Sequence, residues 1–352
     1  MFPKYELTGK PYEIGLQHGQ QARERVQKCI NNYQLIFQVM GNATWDEIVK
    51  EAQKYLPSID RHFPELVEEM KGLAEGAEVD FDSILAINAR SEILFSKRML
   101  ASDGCTSYGI APEKGKGITY IGQNWDFPEP QKETLIVLEI EQPGKPKILM
   151  VTEAGIIGKI GFNSEGVGIC MNALATDKLI AGTPLHIAMR AVLSSENLND
   201  ALNKVATCNV ASAINFVIGH HATGIVNLEM IPGEYELTFP KDGFVVHTNH
   251  LVCERHLNKV TDLNRNLMLD TFIRLNRAEK ILKEQGEVEL PNLKQLQDDH
   301  LNYPQSICRH LAQGDLTMIV SAFAIAMDLK NRVMHVTPGQ PCENEFQALE
   351  LR

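Results

Sequence analysis

A chain of 352 residues is long enough to bury a large core, either as one sizeable domain or as two. Hydrophobic residues at 44% against charged residues at 22% exclude a disordered chain, and no apolar run approaches the roughly 18 residues of a membrane-spanning helix. A formal charge of −11 argues against nucleic-acid binding, which needs clustered Lys and Arg facing phosphates.

The opening "MFPKYELTGKPYEIG" lacks the basic and then apolar pattern of a secretory leader, so a cytoplasmic location is expected. From 12 to about 95 the pattern is mainly helical. In "LVEEMKGL", for example, Leu66, Met70 and Leu73 share one face at spacings of four and three. The stretch "DGCTSYGIAPEKGKGITYIGQNWDFP", from Asp103, then reads as a hairpin. Two alternating runs, 106–111 and 118–124, flank the turn "PEKGKG".

Short Val- and Ile-rich runs follow, predicting strands in "LIVLEI", "KILMVTEAG", "GKIGFNSEGVGICMNAL", "AINFVIGH", "GIVNLEMI" and "GFVVHTNH". Helical blocks interrupt them at "PLHIAMRAVLSSENLNDALNKVA" and again from "DLNRNLMLDTFIRLNRAEKILKEQG" into "PNLKQLQDDH". Two strand-like runs, "TMIVSAFAIAMDL" and "RVMHVTPG", complete the pattern. It fits an α+β fold in which packed sheets carry helices on their outer faces.

Seven cysteines lie at 29, 105, 170, 208, 253, 308 and 342, with no CxxC pair. An odd number without that spacing suggests neither a disulfide framework nor a zinc ribbon. Cys105 differs from the rest in following Gly104. The missing side chain leaves the Gly104 carbonyl carbon open to the thiol, and attack there begins an N-to-S acyl shift. Hydrolysis would leave Cys105 as a new N-terminus. It would then hold a thiol of reference pKa about 8.5 beside an α-amine of about 7.7 to 8.0, a nucleophile and a base on one residue. Taken alone, a Gly-Cys pair is common, and most intracellular cysteines simply pack.

The segments "GKPYEIGLQHG", "DGCTSYGIA", "GQNWDF", "NSEGVGICMNAL", "HTNH" and "SICRH", in this order, resemble the acyl-coenzyme A:6-aminopenicillanic acid acyltransferase family. That family belongs to the N-terminal-nucleophile hydrolases, with the choloylglycine hydrolases and penicillin V acylases. The resemblance implies a four-layer α-β-β-α sandwich with a mainly helical N-terminal segment. It also implies autocatalytic cleavage between Gly104 and Cys105, with segments 1–104 and 105–352 retained in one folded unit and no cofactor.

Residue by residue, the resemblance implies that Asp126 contacts the new α-amine and that the Asn249 side-chain amide faces the tetrahedral oxyanion. Asn172 falls at a second position near the nucleophile, and Arg309 at one that fixes the surrounding charges. Gln123 and Trp125 are the candidates for contacting substrate, although Gln123 stands where the bile-salt and penicillin V branches carry an arginine. Each has a plainer alternative: a turn cap for Asp126, a strand-ending turn residue for Asn172, a surface charge on a helix for Arg309.

Other signals are weaker. "HTNHLVCERH" spaces His247, His250, Cys253 and His256 three apart, but no standard zinc-finger spacing matches, and no metal site is expected. "GKGITYIG" lacks the order of a phosphate loop, His220 and His221 read as a surface loop, and no GxSxG elbow occurs. Three functions stay open: hydrolysis of an N-acyl amide through a cysteine acyl-enzyme, transfer of the acyl group from acyl-coenzyme A or an amide to an amine, and an uncut binding protein. The partners expected are a small N-acyl amide, acyl-coenzyme A for the transfer reading, and a second copy of the chain.

Overall fold

The computed structural model describes residues 2–97, 104–314 and 317–351, so Asp103 of the hairpin stretch lies outside the described residues. A strand, β1 (Lys4–Thr8), leads into the helices α1 (Pro11–Gln21), α2 (Arg23–Gly41), α3 (Trp45–Ala52), α4 (Leu56–His62), α5 (Pro64–Ala77), α6 (Phe81–Asn88) and α7 (Arg90–Ser96). Local signals set several of these starts. Proline stands in the first turn of α1 and α5, where its missing N–H costs nothing. Thr44 and Glu47 close a capping box at α3, and Asp80 Oδ1 accepts the Ser83 N–H of α6 at 2.7 Å.

The glycines of "GLQHG" have a packing cause. A Cβ built on Gly15 of α1 would stand 1.8 Å from the Glu69 carbonyl oxygen, and one on Gly72 of α5 would stand 2.0 Å from that of Tyr12. The two helices therefore meet backbone to backbone.

Next come β2 (Gly104–Ile110), β3 (Tyr120–Pro128), β4 (Leu135–Glu141), β5 (Ile148–Glu153), β6 (Ile160–Asn163) and β7 (Val167–Ala173). The helices α8 (Leu185–Leu193) and α9 (Leu198–Thr207) precede β8 (Ile214–His220), β9 (Gly224–Ile231), β10 (Glu234–Thr238) and β11 (Phe244–His247). The short α10 (Glu254–Leu257) and α11 (Asn264–Leu267) lead to α12 (Asp270–Glu284) and α13 (Leu290–Gln297), and β12 (Ile319–Asp328), β13 (Val333–Val336) and β14 (Gln347–Glu350) end the fold.

Two sheets result, an 8-stranded one in the order β1-β4-β5-β6-β7-β8-β9-β10 and a 6-stranded one in the order β11-β2-β3-β12-β13-β14. They stack with β2 and β3 against β7 and β8. Helices α8 and α9 cover the outer face of the first sheet, and α12 and α13 that of the second. This is the four-layer α-β-β-α sandwich that the resemblance implies. Central strands such as β2, β3, β7, β8 and β12 are buried along their whole length, and in β7 and β12 this shows as a nearly continuous apolar run.

Three details depart from the sequence reading. "KYELT" forms β1, which pairs parallel to β4 with Lys4 opposite Val137, so the helical N-terminal segment also contributes a sheet edge. β3 continues to Pro128, which puts Asp126 inside the strand rather than just after it. The long helical block breaks between α11 and α12, at Met268 and Leu269. Among the described residues no helix is long and apolar enough to cross a membrane.

Candidate active site

Strand alternation divides β2 between two environments. Cys105 and Ser107 point into the space between the sheets: Cys105 Sγ lies 4.0 Å from Met171 Sδ on β7, and the Ser107 hydroxyl donates to Asn172 Oδ1. Gly104 and Thr106 point the other way, toward the α12 and α13 layer. In the antiparallel pairing Gly104 stands opposite Asp126, and a Cβ on Gly104 would come 3.0 Å from Asp126 Oδ2. The candidate cleavage point is thus a glycine with a carboxylate against its α-carbon, and the cysteine after it sends its thiol into the interior.

A chain of buried charges runs from that carboxylate to the cysteine backbone. Asp126 Oδ1 accepts the Ser321 hydroxyl at 2.7 Å, and Oδ2 accepts Arg309 Nε at 3.2 Å. Arg309 Nη2 also donates to Asp270 Oδ2, the atom that accepts Arg274 Nε at 2.8 Å. Arg274 Nη1 then donates to the Cys105 carbonyl at 2.6 Å and to Thr106 Oγ1 at 3.1 Å, while Nη2 donates to Asn249 Oδ1 at 2.9 Å. Burial pushes the Asp126 carboxyl up, opposed by Arg309 and Arg274 and by the Ser321 hydrogen bond. For Asp270 burial acts in the same direction, but Arg274 and Arg309 overcome it and hold the carboxyl below its usual range.

Asn249 is held at every polar atom. Its backbone N–H donates to Thr271 Oγ1 at 2.8 Å, its backbone carbonyl accepts Asn264 Nδ2 at 2.7 Å, and its side-chain Nδ2 donates to the Ala173 carbonyl at 3.1 Å. Oδ1 accepts the Cys105 N–H at 2.8 Å as well as Arg274. Two donors on one atom fix which end of the amide is oxygen. The nitrogen that would follow cleavage at Gly104 is therefore already in contact with Asn249, and one Nδ2 hydrogen is committed to Ala173.

The other expected residues fall on the inter-sheet side. Asn172 sits in a buried polar ladder, with Oδ1 accepting Asn215 Nδ2 at 3.2 Å and Nδ2 donating to the His247 carbonyl at 3.1 Å. Gln123 is fully buried, and its Oε1 accepts the Met171 N–H at 2.7 Å. Trp125 is fully buried too, stacked on Phe127 with ring centroids 4.7 Å apart and with Lys159 Nζ 3.3 Å from its own centroid. Lys159 in turn pairs with Glu153. Burial opposes ionisation of that carboxyl, but Arg90 and Lys159 hold it down at about 2. Arg309 occupies a loop rather than a helix surface and is buried.

Arg274, Asp270, Thr271 and Ser321 escaped the sequence reading. The available signal was the i,i+4 spacing of Asp270 and Arg274, but that pattern is common on solvated helix faces. The histidine-rich run is not a four-ligand cluster. His247 Nε2 and His256 Nδ1 both bond Glu229, at 3.2 and 2.9 Å, whereas His250 turns to Thr271 Oγ1 at 3.0 Å. Burial opposes ionisation of Glu229, yet His247, His256 and the Val252 N–H hold its carboxyl well below the usual range.

A cleft of about 510 Å³ opens beyond the end of β7, lined by Phe95, Leu174, Leu179 and Leu263 together with Thr176, Asp177, Lys178 and Ser212. Leu174 adjoins Ala173, whose carbonyl accepts from Asn249, so one wall of the hollow is continuous in the chain with a contact of the site.

Similarity to known proteins extends over most of the chain. The family model for acyl-coenzyme A:6-aminopenicillanic acid acyl-transferase matches residues 112–343. The chain is 34% identical over 336 residues to the 40 kDa form of acyl-coenzyme A:6-aminopenicillanic-acid-acyltransferase of Emericella nidulans, covering 95% of this chain and 91% of that one. Among solved structures, a Caenorhabditis elegans ortholog of N-acylethanolamine-hydrolyzing acid amidase aligns with a TM-score of 0.47 and 14% identity, over 64% of this chain and 93% of that one. A variant of conjugated bile acid hydrolase from Clostridium perfringens aligns at 0.45 and 11%, over 70% and 97%. On the family match and the near full-length relative, the chain belongs to the acyl-coenzyme A:6-aminopenicillanic acid acyltransferase family.

Proposed function

We propose that the chain is a self-processing enzyme that cleaves an N-acyl amide through a thioester on Cys105. The observation carrying this reading is the grip on Cys105: its N–H on Asn249 Oδ1 at 2.8 Å and its carbonyl on Arg274 at 2.6 Å, with Asp126 against the preceding glycine. A new N-terminus at this point would be held as soon as it formed.

Processing begins with Sγ attack on the Gly104 carbonyl carbon. The Gly104–Cys105 C–N bond then breaks, the nitrogen takes the thiol proton, and a Gly104 thioester forms. Water cleaves the thioester, leaving a carboxylate on Gly104 and a free amine and thiol on Cys105. In turnover the α-amine takes the thiol proton, the thiolate attacks the amide carbonyl of the substrate, and the leaving amine carries the proton away. Water then releases the acid. The second Nδ2 hydrogen of Asn249 is the donor proposed for the tetrahedral oxyanion, and removal of one such donor costs about 3 to 4 kcal/mol of transition-state stabilisation.

Segment 1–104 stays bound after the cut because β1 pairs with β4 and Tyr33 on α2 bonds the buried Glu153 of β5. Denaturing mass analysis should therefore find 1–104 and 105–352 as separate polypeptides that copurify, with the larger beginning Cys-Thr-Ser-Tyr-Gly. An active preparation made only of intact chain refutes processing.

A second reading, acyl transfer, is supported by the 34% identical relative, which is itself an acyltransferase. The two share every step up to the thioester and differ in whether water or a bound amine resolves it. Incubation of penicillin V, penicillin G, N-acyl amino acids and a conjugated bile salt, with and without a second amine, separates them. If acyl-coenzyme A acts as donor and the transfer product dominates at modest amine concentration, transfer replaces hydrolysis.

A further inference from the structure

We propose a structural zinc site made by His300, Cys308, His310 and Cys342, two of which, Cys308 and His310, flank Arg309 in the chain. One ligand atom from each of the four side chains lies within 4.8 Å of all the others. A tetrahedral ion with Zn–S about 2.3 Å and Zn–N about 2.05 Å requires edges of roughly 3.4 Å between nitrogens, 3.6 Å between nitrogen and sulfur and 3.8 Å between sulfurs. The observed separations are 3.2 Å from His300 Nε2 to His310 Nε2, and 3.6 and 3.2 Å from His310 Nε2 to the sulfurs of Cys308 and Cys342. The two sulfurs are 3.5 Å apart. Side chains from two separate loops thus supply soft and borderline donors at the edges of one tetrahedron.

Neither a disulfide nor a metal-free cluster accounts for the whole geometry. A disulfide between Cys308 and Cys342 would bring the sulfurs to about 2.05 Å and leave no reason for two imidazole nitrogens to converge on them. A metal-free hydrogen-bond cluster pairs the two imidazoles but leaves the thiols as weak donors. His310 turns Nε2 toward both sulfurs, while its Nδ1 lies on the side of the exposed Glu343 carboxylate, 3.7 Å away and beyond direct hydrogen-bond length. Four protein ligands close the coordination sphere, which marks the site as structural rather than catalytic.

Its position ties it to the buried charges. Arg309 stands between the ligands Cys308 and His310, and its guanidinium bridges Asp126 and Asp270. Cys342 follows β13, the neighbour of β12, whose Ser321 bonds Asp126. The ion fastens these two loops together and so fixes the arginine that compensates Asp126. This last consequence rests on the proposed function, whereas the existence of the site does not.

The test uses full-length, untagged protein expressed in zinc-supplemented medium, in a Cys105→Ala background so that the nucleophile cannot bind metal. Elemental analysis should give about one zinc per chain. Replacement by Co²⁺ should produce visible d–d bands of a tetrahedral ion with thiolate charge transfer. Cys342→Ser and His300→Ala alter exposed side chains and leave the core intact, and each should remove most of the metal and the cobalt spectrum while the circular dichroism of the fold remains. Metal content far below one per chain, a cobalt spectrum unchanged in both variants, or a Cys308–Cys342 disulfide in non-reduced peptides overturns the proposal. Because these readouts need no turnover, their failure is distinct from failure of the amidase reading.

Discussion

Replacing Arg274 tests the buried charge chain at its central member. Arg274 is 1% exposed and donates to four oxygen acceptors: Asp270, the Cys105 carbonyl, Thr106 and Asn249. Arg274→Met removes all four bonds and leaves Asp270 compensated by Arg309 alone. Breaking a buried pair in this way costs about 3 to 5 kcal/mol, enough to lower the denaturant midpoint markedly. Arg274→Lys is the sharper variant. An ammonium retains the attraction for Asp270, but it lacks the planar fork that reaches the Cys105 carbonyl and Asn249 Oδ1 together. Its stability should fall by less than that of the methionine variant, whereas processing and turnover should slow about tenfold or more, in line with the loss of an oriented donor. Urea unfolding gives the first quantity, and time-resolved denaturing mass analysis with substrate turnover gives the second. Lysine at 274 with wild-type processing and turnover would falsify the claim that this residue positions the cysteine end of β2.

Cys105→Ala should abolish both chain cleavage and turnover while leaving a folded protein, and retained activity in that variant removes the nucleophile assignment. Gly72→Ala forces a methyl to within 2.0 Å of the Tyr12 carbonyl and should cost about 1 to 3 kcal/mol or more, whereas Gly286→Ala, with no atom within 4 Å of its added Cβ, should change little by the same unfolding assay. Burial pushes the Glu92 carboxyl up to about 7, against the Leu185 N–H and the Ser212 hydroxyl. A folded-state pKa above the unfolded value of about 4.3 adds stability that is complete below that value and lost as pH rises through about 7. The stability of wild type relative to Glu92→Gln should therefore decline between about pH 4.5 and pH 7, and a difference that grows with pH contradicts the assigned direction.

The layered fold was legible because its strands carry their signal locally. "VGICM" and "TMIVSAFAIAM" are nearly continuous apolar runs, and burial on both faces of a packed sheet is what that pattern encodes. "KYELT" was not legible. Five alternating residues before a helix acquire an edge-strand role only when β4 arrives beside them from more than a hundred residues later. The α11–α12 break was hidden for the opposite reason, since helical periodicity runs on through Met268 and Leu269 although the backbone does not.

The candidate site divides on the same line. Gly104 and Cys105 carry a local chemical reason in the glycine before the thiol, whereas Asp126 was reached only through the family resemblance, and β2–β3 pairing brings all three together across a single hairpin. Arg274 and Asp270 look like an ordinary helix-surface pair until the loop of Arg309 and the end of β2 close over them. The same applies to His300, Cys308, His310 and Cys342, whose separations along the chain match no metal-binding spacing and whose convergence depends on two loops meeting. The regular spacing lies in "HTNHLVCERH" instead, where Glu229 takes two of the imidazoles.

The charge chain also bears on how an α-amine at Cys105 could serve as a base. A lone carboxylate beside that amine would raise its pKa and keep it protonated. Asp126, however, shares its charge with Arg309 at 3.2 Å and Ser321 at 2.7 Å, and Arg274 brings a second cation to within 2.6 Å of the Cys105 carbonyl. Two arginines against two aspartates leave the site close to neutral, so neither sign of charge dominates at the cysteine nitrogen. Orientation then falls to Asn249, whose Oδ1 accepts an N–H and leaves the nitrogen lone pair free to face the thiol. Asp126→Asn, which leaves Arg309 less compensated, should therefore lower the pKa of the Cys105 amine and shift the acid limb of the pH–rate profile to lower pH. An acid limb that stays in place or moves upward would mean that the charge of Asp126 does not set the basicity of the Cys105 amine, and would overturn this account.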